Sequence, residues 1–306
     1  MLLHDIYINV STFNKLEMKT TKIITIALLL TTLAVGCERE GGYVRIFAES
    51  MGGSKVFLNL TDINAATWIN GETVNLNGVS RTIASGANVF YLDGVAPLTE
   101  TMYAVYPATT STGGNNIVVT NANSSGATIT LNSLAVNFHD GGHDIIFPMA
   151  ATATGGSNHL MFRHLTGGLM LTLQAQATVN VATVKVITYG TAPIGSVTID
   201  GVSHIVRWAV EGPTLPAGEV GGIDGDRDVK YASEMLLNMQ TDGNQGVSVT
   251  TDGITFCVPV TISDVRRITV IGYASDGTEL FSKTKSIAPA TLILRNTLYT
   301  VPTLNI

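Results

Sequence analysis

Residues 169–175 read Leu-Met-Leu-Thr-Leu-Gln-Ala, and this stretch decides the fold class. Every second position is strongly apolar, which places Leu169, Leu171, Leu173 and Ala175 on one side of an extended chain. An apolar pattern with a period of two is typical of a β-strand that buries one face. The stretch therefore predicts a strand packed against a core.

Similar runs of Val, Ile, Thr, Tyr and Phe follow one another after residue 37. Turn dipeptides separate them: Asp-Gly begins at residues 93, 140, 200, 224, 242, 252 and 276, and Asn-Gly at residues 70 and 77. These dipeptides tolerate the positive φ angles of tight hairpin turns. Only two segments, 62–68 and 231–239, favour a short helix. The sequence therefore predicts an all-β protein with strands spaced as in β-sandwiches.

Composition excludes several classes of protein. Charged residues make up 13% of the chain and apolar residues 45%, so the chain has enough apolar surface to fold into a core. The formal net charge of −6 argues against a nucleic-acid partner, because binding to phosphates needs a basic surface. Two cysteines are too few for a disulfide framework.

A Gly-, Thr- and Ser-rich segment at 152–157 divides the chain after the N-terminal leader. We place the boundary there, which predicts one β-sandwich domain over 37–155 and a second over 156–306. Each part is long enough for a seven- or eight-stranded sandwich. The longest irregular stretch is 211–230, and long loops of this kind often carry function.

The N-terminus predicts an exported lipoprotein. Residues 23–35 form a 13-residue apolar run after Lys19 and Lys22. The run is too short to cross a bilayer, which needs about 20 apolar residues, but it fits a secretory signal. It ends at Cys37 after Gly36, which resembles a bacterial lipoprotein box; a plain secretory signal is the alternative. Residues 1–36 are therefore predicted to be the signal peptide, with 1–17 an over-extended start, and Cys37 the acylated residue.

Two clusters of potential metal ligands have simpler explanations. His139 and His143 lie in a six-residue stretch with two aspartates, but Gly141 and Gly142 make that stretch a turn, and no third ligand is identifiable. The segment 224–228 begins like a calcium loop, but it lacks the following Gly and the distal Glu. We predict exposed loops at both places and no metal site; a hydrolase using His139 and His143 is the less favoured alternative.

No recognisable catalytic motif is present in the sequence. Cys257 lies in an apolar strand and is predicted to be a buried thiol rather than a nucleophile. We therefore predict that the protein is not an enzyme, has no catalytic residues and needs no cofactor. An alternative function is glycan binding on a sandwich face, for which Tyr189, Trp208 and Tyr231 would form an exposed aromatic cluster.

Four short motifs resemble the fimbrillins, the subunits of type V pili. The first is Tyr-Ala-Val-Tyr-Pro-Ala at 103–108, and the second is Ile-Ile-Phe-Pro-Met-Ala at 145–150. The third is Phe-Arg-His-Leu-Thr-Gly-Gly-Leu at 162–169, and the fourth is Arg-Asn-Thr-Leu-Tyr-Thr-Val-Pro at 295–302. Their order along the chain, together with the lipoprotein box, carries the resemblance across most of the mature protein.

The resemblance implies two tandem transthyretin-like β-sandwich domains after the lipoprotein signal. It also implies a structural and adhesive subunit of a fimbria, anchored by lipid at Cys37 to the outer membrane and exposed on the cell surface. The implied partners are other pilus subunits, either further copies of this chain or related fimbrillins, together with a host protein or glycan receptor.

In this family a protease removes the first strand, and a neighbouring subunit inserts a donor strand in its place. The implied first strand here is 43–49, with Val44, Ile46 and Ala48 alternating. Cleavage in the family follows Arg or Lys, so the candidate positions here are Lys55, Arg45 and Arg81. Lys55 is favoured because a Gly-rich loop exposes it, although Arg is the better-known choice in the family.

The implied donor strand lies near the C-terminus, where one side of the chain carries Leu298, Thr300, Pro302 and Leu304. Pro302 cannot donate a main-chain hydrogen bond, so it belongs at a sheet edge or strand end. The alternative is that this segment closes the sheet of its own chain.

Overall fold

A computed structural model describes residues 43–50, 57–58, 72–82, 89–93, 101–139, 142–155, 157, 159–213, 229–262, 264–295 and 297–306. In these ranges the N-terminal half contains β1 (Tyr43–Ser50), β2 (Phe57–Leu58), β3 (Thr73–Leu76), β4 (Val79–Thr82), β5 (Val89–Asp93), β6 (Met102–Tyr106), β7 (Asn116–Asn123), β8 (Gly126–His139), β9 (Gly142–Asp144) and β10 (Met149–Ala153).

The C-terminal half begins with β11 (His159–His164), β12 (Gly167–Gln174), β13 (Val179–Val181), β14 (Thr183–Gly190), β15 (Val197–Ile199), β16 (Val202–Trp208) and β17 (Val210–Pro213). It continues with β18 (Tyr231–Thr241), β19 (Asn244–Gln245), β20 (Val247–Val249), β21 (Ile254–Val260), β22 (Asp264–Tyr273), β23 (Glu279–Leu292), β24 (Leu298–Thr300) and β25 (Leu304–Asn305). No residue of the described ranges is helical, which confirms the all-β prediction. Within those ranges, no helix could cross a membrane.

One sheet of the described residues has seven strands in the order β4-β3-β6-β10-β11-β1-β5. Its turn between β3 and β4 is Asn77-Gly78, with φ angles of 48° and 86°, as the Asn-Gly dipeptide predicts. Val74 and Leu76 are buried on one face of β3, and they pack with Tyr106 and Phe162 in a small core of their own.

A twelve-stranded sheet is organised around β8, the longest strand of the N-terminal half. The first part of β8 pairs with β16, and the second part pairs with β18; both pairings are parallel. The opposite edge of β8 pairs antiparallel with β7 and β9. Strands β14, β22 and β23 then extend the sheet from β18.

The main core lies between this sheet and a four-stranded sheet in which β12 pairs with β21, β24 and β25. Leu169, Leu171, Leu173 and Ala175 are all buried, whereas the alternate residues are partly exposed. The alternation predicted for 169–175 is therefore that of strand β12. A further sheet of two strands, β13 and β20, packs against the same core.

Of the two segments predicted to form a short helix, 62–68 lies outside the described residues. The prediction of a short helix at 231–239 is wrong, because this segment forms most of β18. Alternate residues of the strand are buried on one face: Ser233, Met235, Leu237 and Met239. The predicted domain boundary after residue 155 lies between β10 and β11, which pair with each other. Because β8 also pairs with β16 and β18, strand pairing crosses this boundary, and the division into two domains stays a prediction.

Strands β8 and β16 approach each other closely at Gly126. A Cβ atom built there would lie 1.7 Å from the carbonyl oxygen of Ser203, and the φ angle of Gly126 is 101°. Both facts require glycine, because any side chain would collide with main-chain atoms in a conformation that is already strained. The junction between the two halves of the chain therefore depends on this residue.

His204 in β16 is a buried polar residue without a hydrogen bond. Its side chain is 2% exposed, and neither ring nitrogen has a hydrogen-bond partner. Desolvation by burial lowers the pKa of His204 below its ordinary value of 6.5. The imidazole is therefore held neutral inside the fold at a position that favours an apolar side chain.

We expect Gly126→Ala to lower the free energy of unfolding by about 2 kcal/mol or more, because the new methyl group must displace backbone. Chemical denaturation monitored by circular dichroism measures this. The matched control is Gly195→Ala, where no atom lies within 4 Å of the built Cβ. Equal stabilities of the two variants would show that β8 and β16 do not approach as described.

We expect His204→Leu to raise the free energy of unfolding at pH 7 by about 1 kcal/mol, because a buried polar group without a partner is removed. The gain should grow as the pH falls below 6.5. In the wild type the unfolded chain then binds a proton that the native imidazole resists, so stability is lost. Denaturation curves at several pH values test this, with the exposed His159→Leu as control. A gain that does not depend on pH would contradict the assignment.

Candidate functional site: the position of the first strand

Strand β1 lies inside the seven-stranded sheet and pairs along both of its edges. Residues 43–47 pair antiparallel with 89–93 of β5, and residues 47–50 pair parallel with 159–162 of β11. The strand predicted from sequence at 43–49 is therefore present, one residue longer at its C-terminal end. An interior strand holds two neighbours together, so its removal leaves two unpaired edges.

The neighbouring strand β11 belongs to the buried part of this sheet. Leu160 and Phe162 are fully buried, and the register places Ala48 opposite Leu160. Val44 and Ile46 pair with Leu92 and Phe90 of β5 by register. The side chains of Val44, Ile46 and Ala48 lie outside the described part of the structure, so the site is defined by its main chain.

The three candidate cleavage positions lie in different contexts. Arg45 pairs with Tyr91 inside β1. Arg81 lies in β4, pairs with Val74, and is partly buried. Lys55 follows the end of β1 but lies outside the described residues, as does Cys37.

The C-terminal ribbon, residues 297–306, lies along β12 of its own chain. Leu298 and Thr300 lie in β24, and Leu304 lies in β25; both strands pair parallel with β12. Pro302 lies between these strands, where no ladder hydrogen bond is required of it. Val301 and Leu304 are buried in the main core. In this arrangement the ribbon closes its own sheet.

The two histidines considered as metal ligands do not converge on one point. His139 Nε2 lies 3.3 Å from a carboxylate oxygen of Asp144, whereas His143 Nε2 accepts a hydrogen bond from the backbone N–H of Cys257 at 3.0 Å. His143 is fully buried, which corrects the prediction that its loop is exposed. Among the described residues, no group of three His, Cys, Asp or Glu side chains is placed to hold a metal ion. The segment 224–228 lies outside that part of the chain.

Cys257 is buried, and desolvation raises the pKa of its thiol to about 12. The prediction of a buried thiol is confirmed. Such a thiol stays protonated at neutral pH and is a poor nucleophile.

A polar network around Glu211 was not predicted from sequence. The Glu211 carboxylate accepts hydrogen bonds from the backbone N–H of Trp208 and from the hydroxyl groups of Tyr231, Ser233 and Thr261, at 2.8–3.3 Å. These hydrogen bonds satisfy the acceptor oxygens of the carboxylate and connect β17 to β18. The pKa of Tyr231 is raised by desolvation and by the Glu211 charge. A single carboxylate at the start of the stretch 211–230 forms no sequence pattern that could reveal these partners.

The aromatic cluster considered for glycan binding does not form as predicted. Trp208 is 1% exposed and belongs to the main core, which corrects the expectation that it is on the surface. Tyr189 is partly exposed and lies under Arg267, whose guanidinium carbon is 4.3 Å from the ring centre. Tyr231 is partly buried beside Glu211.

A small open cavity of about 140 Å³ lies where β8 and β9 meet the residues before β3. Glu72, Asn115, Asn137 and Asp144 line it together with Ile145 and Ile146. Glu72 accepts a hydrogen bond from Tyr106 at 2.8 Å, and the pKa of Tyr106 is raised by burial first and by Glu72 second. The two carboxylates that line the cavity, Glu72 and Asp144, therefore contact Tyr106 and His139 of the neighbouring strands.

No protein-family model matches the chain, and no curated protein matches it as a relative. Solved structures with some similarity include a provisionally assigned cell adhesion protein from Bacteroides ovatus ATCC 8483, which is 12% identical with a TM-score of 0.37. That comparison covers 85% of this chain and 91% of the other. A second provisionally assigned cell adhesion protein, from Bacteroides uniformis ATCC 8492, is 14% identical with a TM-score of 0.32, over 85% and 93% of the two chains.

A third similar structure is a fimbrial protein from Bacteroides ovatus ATCC 8483, at 9% identity and a TM-score of 0.33. The comparison covers 88% of this chain but 50% of the fimbrial protein, so this chain spans about half of its length. At these identities and TM-scores the three similarities do not assign the chain to a family.

Proposed function

We propose that the protein is a structural and adhesive subunit of a cell-surface fimbria that assembles by exchange of strands between chains. The observation that carries the proposal is the position of β1, which is near the N-terminus yet paired on both edges inside a sheet. The resemblance of four sequence motifs to the fimbrillins supports it independently. In this proposal the working groups are main-chain N–H and C=O groups rather than catalytic side chains.

The free-energy balance explains why a vacated site would be refilled. Without β1, the main-chain groups of β5 and of residues 159–162 in β11 lose their partners. Each buried polar group left unpaired costs about 1–3 kcal/mol, so several together give a strong drive for strand addition. An extended segment of a second chain satisfies these groups and covers the apolar residues beneath them.

The geometry of β1 favours cleavage after Lys55. A cut after Arg45 would leave residues 46–50 paired in the sheet. A cut after Arg81 would leave β1 connected to β3, which pairs with β6. A cut after Lys55 falls beyond the end of β1 at Ser50, so the whole strand can leave.

The donor strand comes from another copy of the chain or from a related subunit. The C-terminal ribbon of this chain can donate only if it leaves β12, which exposes Val301 and Leu304. Its present pairing favours the alternative in which it closes its own sheet. We therefore propose that the ribbon stays in place while β1 is exchanged.

Acylation at Cys37 fits this function, because it tethers a folded subunit to the outer membrane at the cell surface. One acyl chain gives marginal membrane binding, whereas two or more anchor a protein stably. A host protein or glycan receptor belongs to the same proposal. Trp208 takes no part in such binding because it is buried.

We expect a disulfide between β1 and β5 to block assembly. The variant Ile46→Cys/Phe90→Cys links two residues that pair directly in the antiparallel ladder. After cleavage by a lysine-directed protease, the oxidised variant should form no detergent-resistant ladder on gels of unboiled samples. Reduction should restore the ladder, because β1 can then leave.

The matched control is Thr73→Cys/Thr82→Cys, which links β3 to β4 at the far edge of the same sheet. This variant should form ladders in both redox states. Ladders from the oxidised β1–β5 variant would show that β1 does not need to leave, and the proposal would fail.

We expect deletion of residues 304–306 to leave the ladder intact and to lower the free energy of unfolding by about 2 kcal/mol, because buried Leu304 is lost from the core. Gel ladders and chemical denaturation of the same samples measure the two effects. Loss of the ladder with unchanged stability would assign the ribbon as the donor strand instead.

A further inference from the structure

Strand β21 has a partner strand along only one edge in the described residues. Residues 254–260 pair with 167–173 of β12 in an unbroken antiparallel register. The backbone N–H of Cys257 donates to His143, so it points away from β12. By strand alternation Thr255 and Pro259 share that orientation, and Pro259 has no N–H to offer.

The hydrogen bond fixes the protonation of His143. A backbone N–H can only donate, so His143 Nε2 must carry a free lone pair. The single proton of the neutral imidazole is therefore on Nδ1, which is buried without a hydrogen-bond partner. Protonation of Nε2 would turn this acceptor into a donor that faces another donor.

We propose that His143 is an acid-sensitive latch that closes the outer edge of β21 with the β8–β9 hairpin. At neutral pH its imidazole takes the place of a missing strand and accepts the Cys257 N–H. In acid the imidazolium loses the acceptor and carries a charge in a fully buried position. The β8–β9 hairpin then separates from β21, while β8, β9 and β21 each keep their pairing with their other partner strands.

The groups around the latch are consistent with opening in acid. Its own hairpin contributes His139 and Asp144, which contact each other, and the aromatic ring of Phe138 lies 5.9 Å from the imidazole. From β21 the only titratable group is the Cys257 thiol. By register, Met170 of β12 pairs with Cys257, and Leu58 of β2 pairs with His143. Neither of these two residues is ionisable.

Burial first, and His139 second, lower the pKa of His143 to about 4. An imidazole released into water titrates near 6.5, so the open form binds a proton more readily than the closed form. The closed form therefore loses stability as the pH falls from 6.5 towards 4. The equilibrium constant for closing decreases by up to about tenfold per pH unit. This property does not depend on the proposed function.

Reactivity of the Cys257 thiol measures the opening directly. Full-length protein is treated with dithiodipyridine at pH 7, 6 and 5, and mass spectrometry gives the labelled fraction of the peptide that contains Cys257. The same reaction in denaturant corrects for the intrinsic pH dependence. We expect the protection of the wild-type thiol to fall by about tenfold between pH 6 and pH 5, with unchanged circular dichroism.

Two variants separate the latch from general acid destabilisation. His143→Gln keeps an acceptor of similar reach but does not titrate, so the protection of Cys257 should no longer change between pH 6 and pH 5. His143→Leu removes the acceptor, so protection should be about tenfold lower already at pH 7. His204→Gln, a change at another buried histidine, should keep the wild-type pH dependence.

The proposal is overturned if His143→Gln keeps the wild-type pH dependence, or if His143→Leu protects Cys257 as well as the wild type does at pH 7. It is also overturned if His204→Gln removes the pH dependence, because the effect would then be global. If His143→Leu does not fold, the comparison of the wild type, His143→Gln and His204→Gln still decides the question.

Discussion

The pairing of main-chain hydrogen-bonding groups is the constraint on which the rest of the structure depends. In a chain built from strands, each N–H and C=O that leaves water needs a partner on a neighbouring strand. Strand β8 meets this requirement with four different partners, β7 and β9 on one edge and β16 and β18 on the other. Strand β8 therefore joins the branches of the twelve-stranded sheet.

The same constraint explains how the sheet edges are finished. On the edge of β21 that has no partner strand among the described residues, Pro259 has no N–H, and the Cys257 N–H donates to the His143 imidazole. On the edge strand β23, Lys283 and Lys285 pair by register with the buried residues Val270 and Ile268, and charges at such positions discourage pairing with another chain. Strand β1 differs, since both of its edges are paired although it is near the chain terminus. This contrast makes β1 the candidate for exchange.

The sequence predicted local features well because they depend on local physics. The alternation at 169–175 and the Asn-Gly turn at 77–78 both occur as predicted, since period and turn geometry are set by adjacent residues. The residues of 231–239 favour a helix locally, yet pairing with β8 and β14 makes them a strand. The burial of His143 and Trp208 and the partners of Glu211 depend on residues distant in sequence. No local pattern could have revealed them.

The long-range pairing of β8 and β12 has a consequence for the order in which the chain can fold. Ser133 of β8 pairs with Leu236, and Leu169 of β12 pairs with Tyr299. Each of the two strands can therefore complete its pairing only with residues more than a hundred positions later in the sequence. High contact order of this kind slows folding and leaves strand edges open to aggregation meanwhile. A nascent chain cannot complete its main core until Val301 and Leu304, which are buried in that core, have been synthesised.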